Sequence, residues 1–302
     1  MPKHLLDVVI VGAGPAGLSA ALVLGRCLRN VVVLDTDRPR NAASHAVHGF
    51  LTRDGIPPRE LRRIGREQLK PYRTVKLARI EVTSARRVGK SFEVSLKGGR
   101  RVRSRTLLLA TGVVDDVPQV EGLLPLYGRS VFHCPYCDGW ERRHQPIAIY
   151  GRGVNGHGLA LELKAWSNDL ALCTDGPGNL QEKHLRRLAR HGISVHQQRI
   201  VRLEGRGGQL ARIVFDDGTA IERRAMFFSS GQRQSCGLAS GLGCGFTGKG
   251  AVRTGKYEAT DIPGLYVAGD ASRLVQMAIV AAAEGAQAAF AINTALLKVE
   301  LA

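Results

Sequence analysis

A glycine loop between an apolar strand and a helix, close to the start of the chain, constrains the fold more than any other feature. The apolar run Asp7–Val11 predicts a buried parallel strand, and Gly12–Gly17 (GAGPAG) follows it directly. Leu18–Leu28 predicts a helix, and Val31–Leu34 predicts a second strand that ends at Asp35. This order is typical of the βαβ unit that opens a dinucleotide-binding fold.

Each glycine of this loop has a separate role in such a fold. Gly12 permits the tight turn, Gly14 lets the backbone approach a pyrophosphate, and Gly17 lets helix and strand pack closely. The helix N-terminus offers free N–H groups and a positive dipole to the phosphates. Asp35 lies 23 residues after Gly12, where a carboxylate accepts a hydrogen bond from a ribose 2′-OH. The alternative is a tight turn that binds no ligand.

The same pattern occurs a second time, in the middle of the chain. Pro146–Tyr150 predicts a strand, Gly151–Gly156 (GRGVNG) a glycine loop, Leu159–Trp166 a helix and Leu170–Cys173 the next strand. Asp175 lies 24 residues after Gly151, much as Asp35 follows Gly12. The sequence therefore predicts two dinucleotide folds, one inside the other.

Later segments indicate where each fold closes. The strands that close them are predicted at Thr106–Ala110 (before Thr111-Gly112), Ala225–Ser229 (before Ser230-Gly231) and Leu265–Ala268 (before Gly269-Asp270), with a final helix over Ile279–Leu297. We therefore expect an α/β protein with two Rossmann-like domains of the three-layer ββα type. The first comprises residues 1–115 and 247–302, and the second, residues 116–246, is inserted into it and carries a C-x-x-C pair.

The formal net charge of +17 favours binding of an acidic partner. The alternative is that basic residues are abundant throughout the proteome, which would produce the same charge without such a partner. The basic residues are spread along the chain and no nucleic-acid-binding motif is present, so we expect no nucleic-acid binding. No apolar run reaches the roughly 18 residues that span a bilayer, so we expect no membrane segment. The first residues lack a signal-peptide pattern, so we expect a cytoplasmic location.

Cys134 and Cys137 are the one pair among six cysteines with C-x-x-C spacing. Such a pair indicates redox chemistry or half of a zinc site, and no second pair completes a zinc tetrahedron, so we expect no metal. At a helix start one thiolate is stabilised, one cysteine attacks a disulfide and the other resolves the mixed disulfide. Asp138 could supply the proton, or it could be a helix N-cap. Two alternatives to a redox-active pair remain for these cysteines: two inert thiols, or a structural disulfide.

Two further motifs favour a flavin as the first dinucleotide. A flavin needs a contact along its ribityl-phosphate arm, and Gly269-Asp270 follows a predicted strand at the sheet edge where ligands bind. Thr111-Gly112 ends another strand of the same predicted sheet. The helix from Ile279 could direct its N-terminus at the flavin pyrimidine edge and stabilise negative charge there.

Taken together, the chain resembles the low-molecular-weight thioredoxin reductase family over nearly its whole length. The motifs that carry the resemblance are Gly12–Gly17, Ala110–Gly112, Cys134–Gly139 (CPYCDG), Gly151–Gly156 and Tyr266–Asp270 (YVAGD). It implies a homodimer with one FAD per subunit, a disulfide that faces the flavin, and a large rotation of one domain during turnover. It also implies that Asp138 is the proton donor.

The motifs and the resemblance together predict the site residues. The catalytic residues are Cys134, Cys137 and Asp138; those near FAD are Gly12, Gly14, Pro15, Ala16, Gly17, Asp35, Asn41, His48, Val82, Ala110, Thr111, Gly112, Gly269, Asp270, Gln276, Met277, Ala278 and Ile279; those for a second nucleotide are Gly151, Gly153, Gly156 and Asp175.

The second nucleotide site departs from the family pattern. Family members that use NADPH carry a basic cluster after the second strand of the inserted domain, and here that place reads Leu172–Gly176 (LCTDG), with a carboxylate and no arginine. This favours NADH over NADPH. For the electron donor, ferredoxin is an alternative to a pyridine nucleotide. For the reaction, an oxygen-dependent dithiol oxidase that forms disulfides in small molecules is an alternative to a reductase. A reductase would act on a thioredoxin-like protein or a small disulfide, and a basic flavin-containing binding protein is the remote alternative.

Overall fold

The computed structural model describes residues 5–229 and 231–302, so Ser230 of the sequence pattern lies outside the described residues. In chain order the strands are β1 (Leu6–Val11), β2 (Val31–Asp35), β3 (Val75–Arg79), β4 (Val82–Val88), β5 (Ser91–Leu96), β6 (Arg101–Leu109), β7 (Val113–Asp115), β8 (Val131–Phe132), β9 (Ile147–Tyr150), β10 (Leu170–Cys173), β11 (Ser194–His196), β12 (Ile200–Arg206), β13 (Gln209–Phe215), β14 (Ala220–Glu222), β15 (Ala225–Phe228), β16 (Gln232–Gln234) and β17 (Leu265–Val267). The α-helices are α1 (Pro15–Arg26), α2 (Pro58–Leu69), α3 (Pro135–Asp138), α4 (Gly153–Glu162), α5 (Glu182–Arg190), α6 (Leu238–Gly241) and α7 (Ala278–Glu300), and the 3₁₀ turns are Leu124–Leu126, Trp140–Arg142, Leu163–Ala165 and Lys256–Glu258.

The chain divides into two compact units. The first unit comprises Met1–Ala42, Gly49–Val114 and Gln232–Ala302, and the second comprises Ala43–His48 and Asp115–Gly231. Both have the βαβ pattern that the two glycine loops predict, so the Rossmann-like α/β fold class is confirmed.

The sheet of the first unit has the strand order β3-β2-β1-β6-β5-β4, with β17 also paired to β6. The pairs among β1, β2, β3, β6 and β17 are parallel, whereas β4, β5 and β6 form an antiparallel meander. Val8 and Ile10 pack into one core and Val9 and Val11 into another, because alternate residues of a strand point to opposite faces. A strand buried on both faces needs a continuous apolar sequence, which is what predicted β1.

Helices α1 and α7 pack against each other beside this sheet. A Cβ on Gly285 would lie 2.0 Å from the carbonyl oxygen of Ala16, so only glycine lets the two helices approach this closely. Among the described residues, α7 is also the one helix that is long and apolar enough to cross a membrane. Ala281, Ala288 and Ile292 of α7 belong to the core of the first unit, as expected for a core helix of a folded domain.

The second unit contains a parallel sheet with the order β11-β10-β9-β15-β8 and a separate antiparallel sheet of β12, β13 and β14. Residues 232–246 lie in the first unit, although the sequence assigned them to the inserted domain. The physical reason is that Leu238 and Ala239 of α6 are buried in the same core as Val9. The predicted domain boundary at residues 246 and 247 therefore falls within the first unit.

Both helices that follow the glycine loops begin earlier than the sequence indicated. Helix α1 begins at Pro15 rather than Leu18, and α4 begins at Gly153 rather than Leu159. Pro15 suits the first helical turn, since that position has no intrahelical partner for an N–H and needs φ near −65°. Periodicity in apolar residues detected only the parts of the two helices that carry large side chains.

Candidate functional site

The first glycine loop is closed at both ends by backbone contacts and open in the middle. A Cβ on Gly12, whose φ is +105°, would lie 2.2 Å from the carbonyl oxygen of Ala110. A Cβ on Gly17 would lie 1.9 Å from the carbonyl oxygen of Gly12. A Cβ on Gly14 would meet no heavy atom within 4 Å, so the protein's own packing does not require that glycine. Open space over Gly14, at the N-terminus of a helix, fits a pyrophosphate.

Asp35 at the end of β2 is bonded to this loop. Its Oδ1 accepts a hydrogen bond from the backbone N–H of Ala13 at 3.0 Å. Its Oδ2 accepts from the N–H of Asp37 and from Nη2 of Arg66, both at 3.1 Å. A carboxylate has about four acceptor positions, so Asp35 keeps capacity for a ribose hydroxyl.

Two further motifs follow parallel strands of the same sheet. Ala110, Thr111 and Gly112 follow β6, and Gly269 and Asp270 follow β17, which pairs in parallel with β6. The carboxyl ends of parallel strands meet at one edge of a sheet, where ligands of open α/β folds bind. The structure thus brings these predicted dinucleotide-binding residues to the same edge as the first glycine loop.

A network of side chains holds the loop after β17. Nη1 of Arg40 donates to Oδ2 of Asp270 at 2.9 Å and to Oε1 of Gln276 at 2.7 Å. The N–H of Gly269 donates to Oε2 of Glu284 at 2.7 Å. Glu284 is buried, and that burial raises the pKa of its carboxyl group. Arg40 and Glu284 were not identified in the sequence, because no local motif links them to Asp270.

Most of the remaining residues predicted to lie near FAD are at element ends, and one is in a loop. Met277 is the N-cap of α7, and Ala278 and Ile279 are its first two residues. Val82 begins β4, and Asn41 is a partly buried residue in the loop after β2.

The C-x-x-C pair forms a disulfide in the second unit. Cys134 and Cys137 are joined, with their Cα atoms 5.3 Å apart. Cys134 is the N-cap of α3, Pro135 occupies its first turn, and the Cys134 carbonyl accepts from the N–H groups of Cys137 and Asp138, each at 3.2 Å. A short helix beginning at the first cysteine therefore fixes both sulfur atoms within bonding distance.

Asp138 is the last residue of α3, so the N-cap hypothesis is wrong, since Cys134 holds that position. Burial raises the pKa of Asp138 from 3.8 to about 7, and Glu141 adds to the rise. The positive charges of His48 and Arg142 oppose it. A carboxyl group with a pKa near neutrality can both give and take a proton at physiological pH.

His48 was grouped with the FAD-binding residues, but the structure places it in the second unit. Its Nε2 lies 3.6 Å from Oε1 of Glu141, in the turn that follows α3. No sequence pattern predicts this contact, because the two residues are far apart in the chain.

The second glycine loop repeats the steric pattern of the first. A Cβ on Gly156 would lie 2.5 Å from the carbonyl oxygen of Gly151, and a Cβ on Gly151 would lie 2.8 Å from the Cα of Gly156. A Cβ on Gly153 would meet no heavy atom within 4 Å, although the φ of +53° at Gly153 disfavours other residues. The loop therefore has the same open middle as the first.

The carboxylate of Asp175 has partners within the protein. Its Oδ1 accepts from the N–H of Ile200 at 2.9 Å and its Oδ2 from the hydroxyl of Tyr150 at 3.1 Å. Nη2 of Arg152 lies 3.5 Å from Oδ2 and also donates to the Asp175 carbonyl, while Nε of Arg152 donates to the Thr174 carbonyl at 2.8 Å. An arginine is thus present, supplied by the glycine loop rather than by the segment after β10.

No group of three or more histidine, cysteine, aspartate or glutamate side chains within residues 5–229 and 231–302 could hold a metal ion. The other four cysteines, Cys27, Cys173, Cys236 and Cys244, are free thiols. Burial raises the pKa of the Cys173 thiol to about 12, which makes it unreactive at neutral pH.

The family model of the pyridine nucleotide-disulphide oxidoreductases matches residues 6–285 of this chain. Thioredoxin reductase aclD of Aspergillus oryzae is 28% identical over 308 residues, which cover 98% of each protein. Thioredoxin reductase tcpT of Claviceps purpurea is 29% identical over 279 residues, covering 89% of this chain and 87% of the relative. The crystal structure of an oxidoreductase from Agrobacterium tumefaciens superposes with a TM-score of 0.91 at 32% identity, covering 97% of this chain and 99% of that one.

Proposed function

Because the chain belongs to the pyridine nucleotide-disulphide oxidoreductase family, we propose that it passes electrons between FAD and a substrate disulfide through Cys134 and Cys137. The chain is an FAD-dependent disulfide oxidoreductase of the thioredoxin reductase type. The observation that carries the proposal is the disulfide at the start of α3, followed directly by Asp138, whose pKa is raised to about 7.

The first unit offers the groups that FAD requires. Gly14 leaves space for the pyrophosphate, Asp35 has acceptor capacity for the ribose, and Asp270 lies at the sheet edge for the ribityl arm. FAD, when bound, supplies a group that accepts and donates an electron pair. Arg40 holds the carboxylate of Asp270 in a fixed orientation.

The second unit supplies the thiol chemistry. Two electrons and two protons convert the Cys134–Cys137 disulfide into two thiols. One thiolate then attacks the substrate disulfide and forms a mixed disulfide, and the other cysteine resolves it. The substrate gains the two electrons and two protons, and the Cys134–Cys137 disulfide forms again. Asp138 gives a proton to the departing substrate thiolate.

We infer that the substrate is a thioredoxin-like protein or a small disulfide, and that the enzyme acts as a reductase. The relatives named thioredoxin reductase support this direction. Tyr136 lies between the two cysteines and is 67% exposed, and Trp140 nearby is 65% exposed. Exposed aromatic rings beside a reactive pair suit contact with a substrate surface.

For the electron donor, the second glycine loop supports NADH over NADPH. A 2′-phosphate would place about two negative charges near the carboxylate of Asp175, whereas a 2′-hydroxyl can donate a hydrogen bond to that carboxylate. Arg152 partly offsets the repulsion, but its guanidinium is already bonded to Thr174 and Asp175. If neither nucleotide serves, a protein donor such as ferredoxin is the next proposal, since the net charge of +17 favours an acidic carrier.

The experiment compares Cys134→Ser and Cys137→Ser with the wild-type enzyme. Both variants should keep the FAD absorbance and lose disulfide reduction by at least about a thousandfold, since one sulfur cannot complete the exchange. Cys27→Ser is the matched control, because Cys27 is a free, exposed thiol and its loss should leave turnover unchanged. Wild-type turnover in either active-site variant would refute the proposal.

A further inference from the structure

Two buried carboxyl groups of the first unit share one arginine. Glu258 ends the 3₁₀ turn Lys256–Glu258, and Glu284 lies in α7. Nε of Arg273 lies 2.7 Å from Oε1 of Glu284, and its Nη2 donates to Oε2 of Glu258. Its Nη1 donates to the hydroxyl group of Thr254 at 2.8 Å. Carboxylates are almost never fully buried unless they are paired, and here a single guanidinium pairs both. It thereby joins the turn, α7 and the loop after β17.

The second oxygen of Glu284 holds the backbone of the loop after β17. Oε2 of Glu284 accepts a hydrogen bond from the N–H of Gly269 at 2.7 Å. The φ of Gly269 is +81°, and a Cβ there would lie 3.1 Å from the Cβ of Ala16 in the first glycine loop. The residue after Glu284 is Gly285, which also packs against Ala16. Glu284 therefore bonds the loop after β17 at the point where that loop and α7 meet the first glycine loop.

The turn that carries Glu258 has an unfavourable backbone conformation. Tyr257 has a φ of +55° and Glu258 a φ of +64°, so two consecutive non-glycine residues are left-handed. Such residues persist only where the surrounding structure holds them, and they cluster at ligand-binding and active sites. Here Glu258 is held by Arg273, and the ring of Tyr257 lies 5.9 Å from that of Phe290 in α7. Buried ion pairs are weak evidence for stability, because apolar side chains fill such sites equally well. The strained turn and its buried charge therefore indicate a role other than stability.

We propose that Glu258, Arg273 and Glu284, here called the clamp, are positioning residues that hold Gly269 and Asp270 in the geometry that FAD requires. This inference rests on the proposed binding of FAD by the first unit. Without the clamp, the loop of the free protein can move and give the N–H of Gly269 to water. Binding of FAD then has to restore the loop and remove that water, so the cost falls on the affinity for FAD.

The test measures how fast the FAD of the holoenzyme exchanges for added, isotopically labelled FAD. Glu284→Met removes both acceptor oxygens at similar size, and it should speed the exchange about thirtyfold. Glu284→Gln keeps one acceptor oxygen, which can serve Gly269 or Arg273 but not both, so the exchange should be about fivefold faster than in the wild type. Glu300→Gln is the matched control, since Glu300 also pairs with two arginines but is the last residue of α7, and its exchange should be unchanged.

Two further readouts separate positioning of FAD from a purely structural role. Asp270→Asn alone should speed the exchange, and in that background Glu284→Met should add less than about twofold, because its effect passes through the same loop. Thermal unfolding of Glu284→Met should show a larger loss of stability in the FAD-loaded protein than in the FAD-free protein. A structural role would lower the stability of both forms equally and leave the exchange rate unchanged.

The outcomes distinguish the clamp from the function on which it depends. Wild-type exchange in Glu284→Met, equal exchange in Glu284→Met and Glu284→Gln, or full additivity with Asp270→Asn would overturn the clamp while FAD binding stands. If Glu284→Met does not fold, Arg273→Met decides: it leaves both carboxylates without their shared partner and should exchange FAD about tenfold faster, and a wild-type rate would overturn the clamp. If the wild-type protein holds no FAD, the proposed function fails and the clamp fails with it.

Discussion

The two glycine loops, Gly12–Gly17 and Gly151–Gly156, have the same steric design and different chemistry. In both, the outer glycines meet backbone atoms that exclude a Cβ, and the middle glycine, Gly14 or Gly153, faces open space. In the first loop, the carboxylate at the end of the next strand bonds the backbone of the loop. In the second, a guanidinium from the loop reaches out to the segment after β10.

One position accounts for most of this difference. The second residue of the first loop is Ala13, whose N–H donates to Asp35, and the second residue of the other loop is Arg152, which pairs with Asp175. The two loops therefore differ in the charged groups beside them: a carboxylate bonded to the backbone of the first, and a guanidinium paired with a carboxylate at the second.

The largest expected effect comes from filling the open middle of the first loop. Gly14→Val should abolish FAD retention, because the new side chain would occupy the pyrophosphate's space. The protein should still fold, since Gly14 has φ −74° and a Cβ there has no neighbour within 4 Å. Flavin absorbance after gel filtration and circular dichroism measure the two properties.

Gly153→Asn is the matched control for that experiment. Asparagine tolerates the positive φ of Gly153, so this variant should fold and keep its FAD while losing any pyridine nucleotide. FAD retention by Gly14→Val, or FAD loss by both variants, would contradict the assignment of FAD to the first loop.

A smaller effect is expected at the charged pair of the second loop. Under argon, stopped-flow bleaching of the flavin should be faster with NADH than with NADPH at equal concentration. Asp175→Asn should raise the NADPH-to-NADH ratio of rates about tenfold, or roughly 1.4 kcal/mol, because the repelling carboxylate is gone and Arg152 is freed. Arg152→Ala should lower the ratio, since the carboxylate of Asp175, without a guanidinium beside it, then repels the 2′-phosphate more strongly.

Arg190→Ala removes an exposed arginine of α5 and should leave both rates unchanged. Faster bleaching by NADPH in the wild-type enzyme would refute the proposed role of Asp175. Bleaching by neither nucleotide, but by reduced ferredoxin in a salt-sensitive reaction, would instead support a protein donor at a basic surface.

The sequence predicted the parts of the fold that depend on local patterns. Strand β10 was predicted at its observed bounds, because Leu170–Cys173 is a continuous apolar run in a buried parallel strand. The two glycine loops and the C-x-x-C pair were also predicted from local patterns, since each is a short motif with fixed spacing, and the disulfide itself was implied by the family resemblance.

Contacts between distant segments could not be predicted in this way. His48 meets Glu141, and Arg40 meets Asp270, across separations that no motif spans. Arg152 is the second residue of a glycine motif, yet its long side chain reaches Asp175. The periodicity of apolar residues predicts which segments form strands and helices. The contacts named above depend instead on side-chain length and on which strands become neighbours.

The most direct test of the account is to count thiols after the FAD-loaded enzyme receives one electron pair. Under argon, one equivalent of dithionite is added and the protein is alkylated, denatured and mapped. We predict two new alkylated thiols, at Cys134 and Cys137, because their disulfide accepts the pair. An unchanged thiol count, with the flavin bleached and both cysteines still joined, would contradict the account.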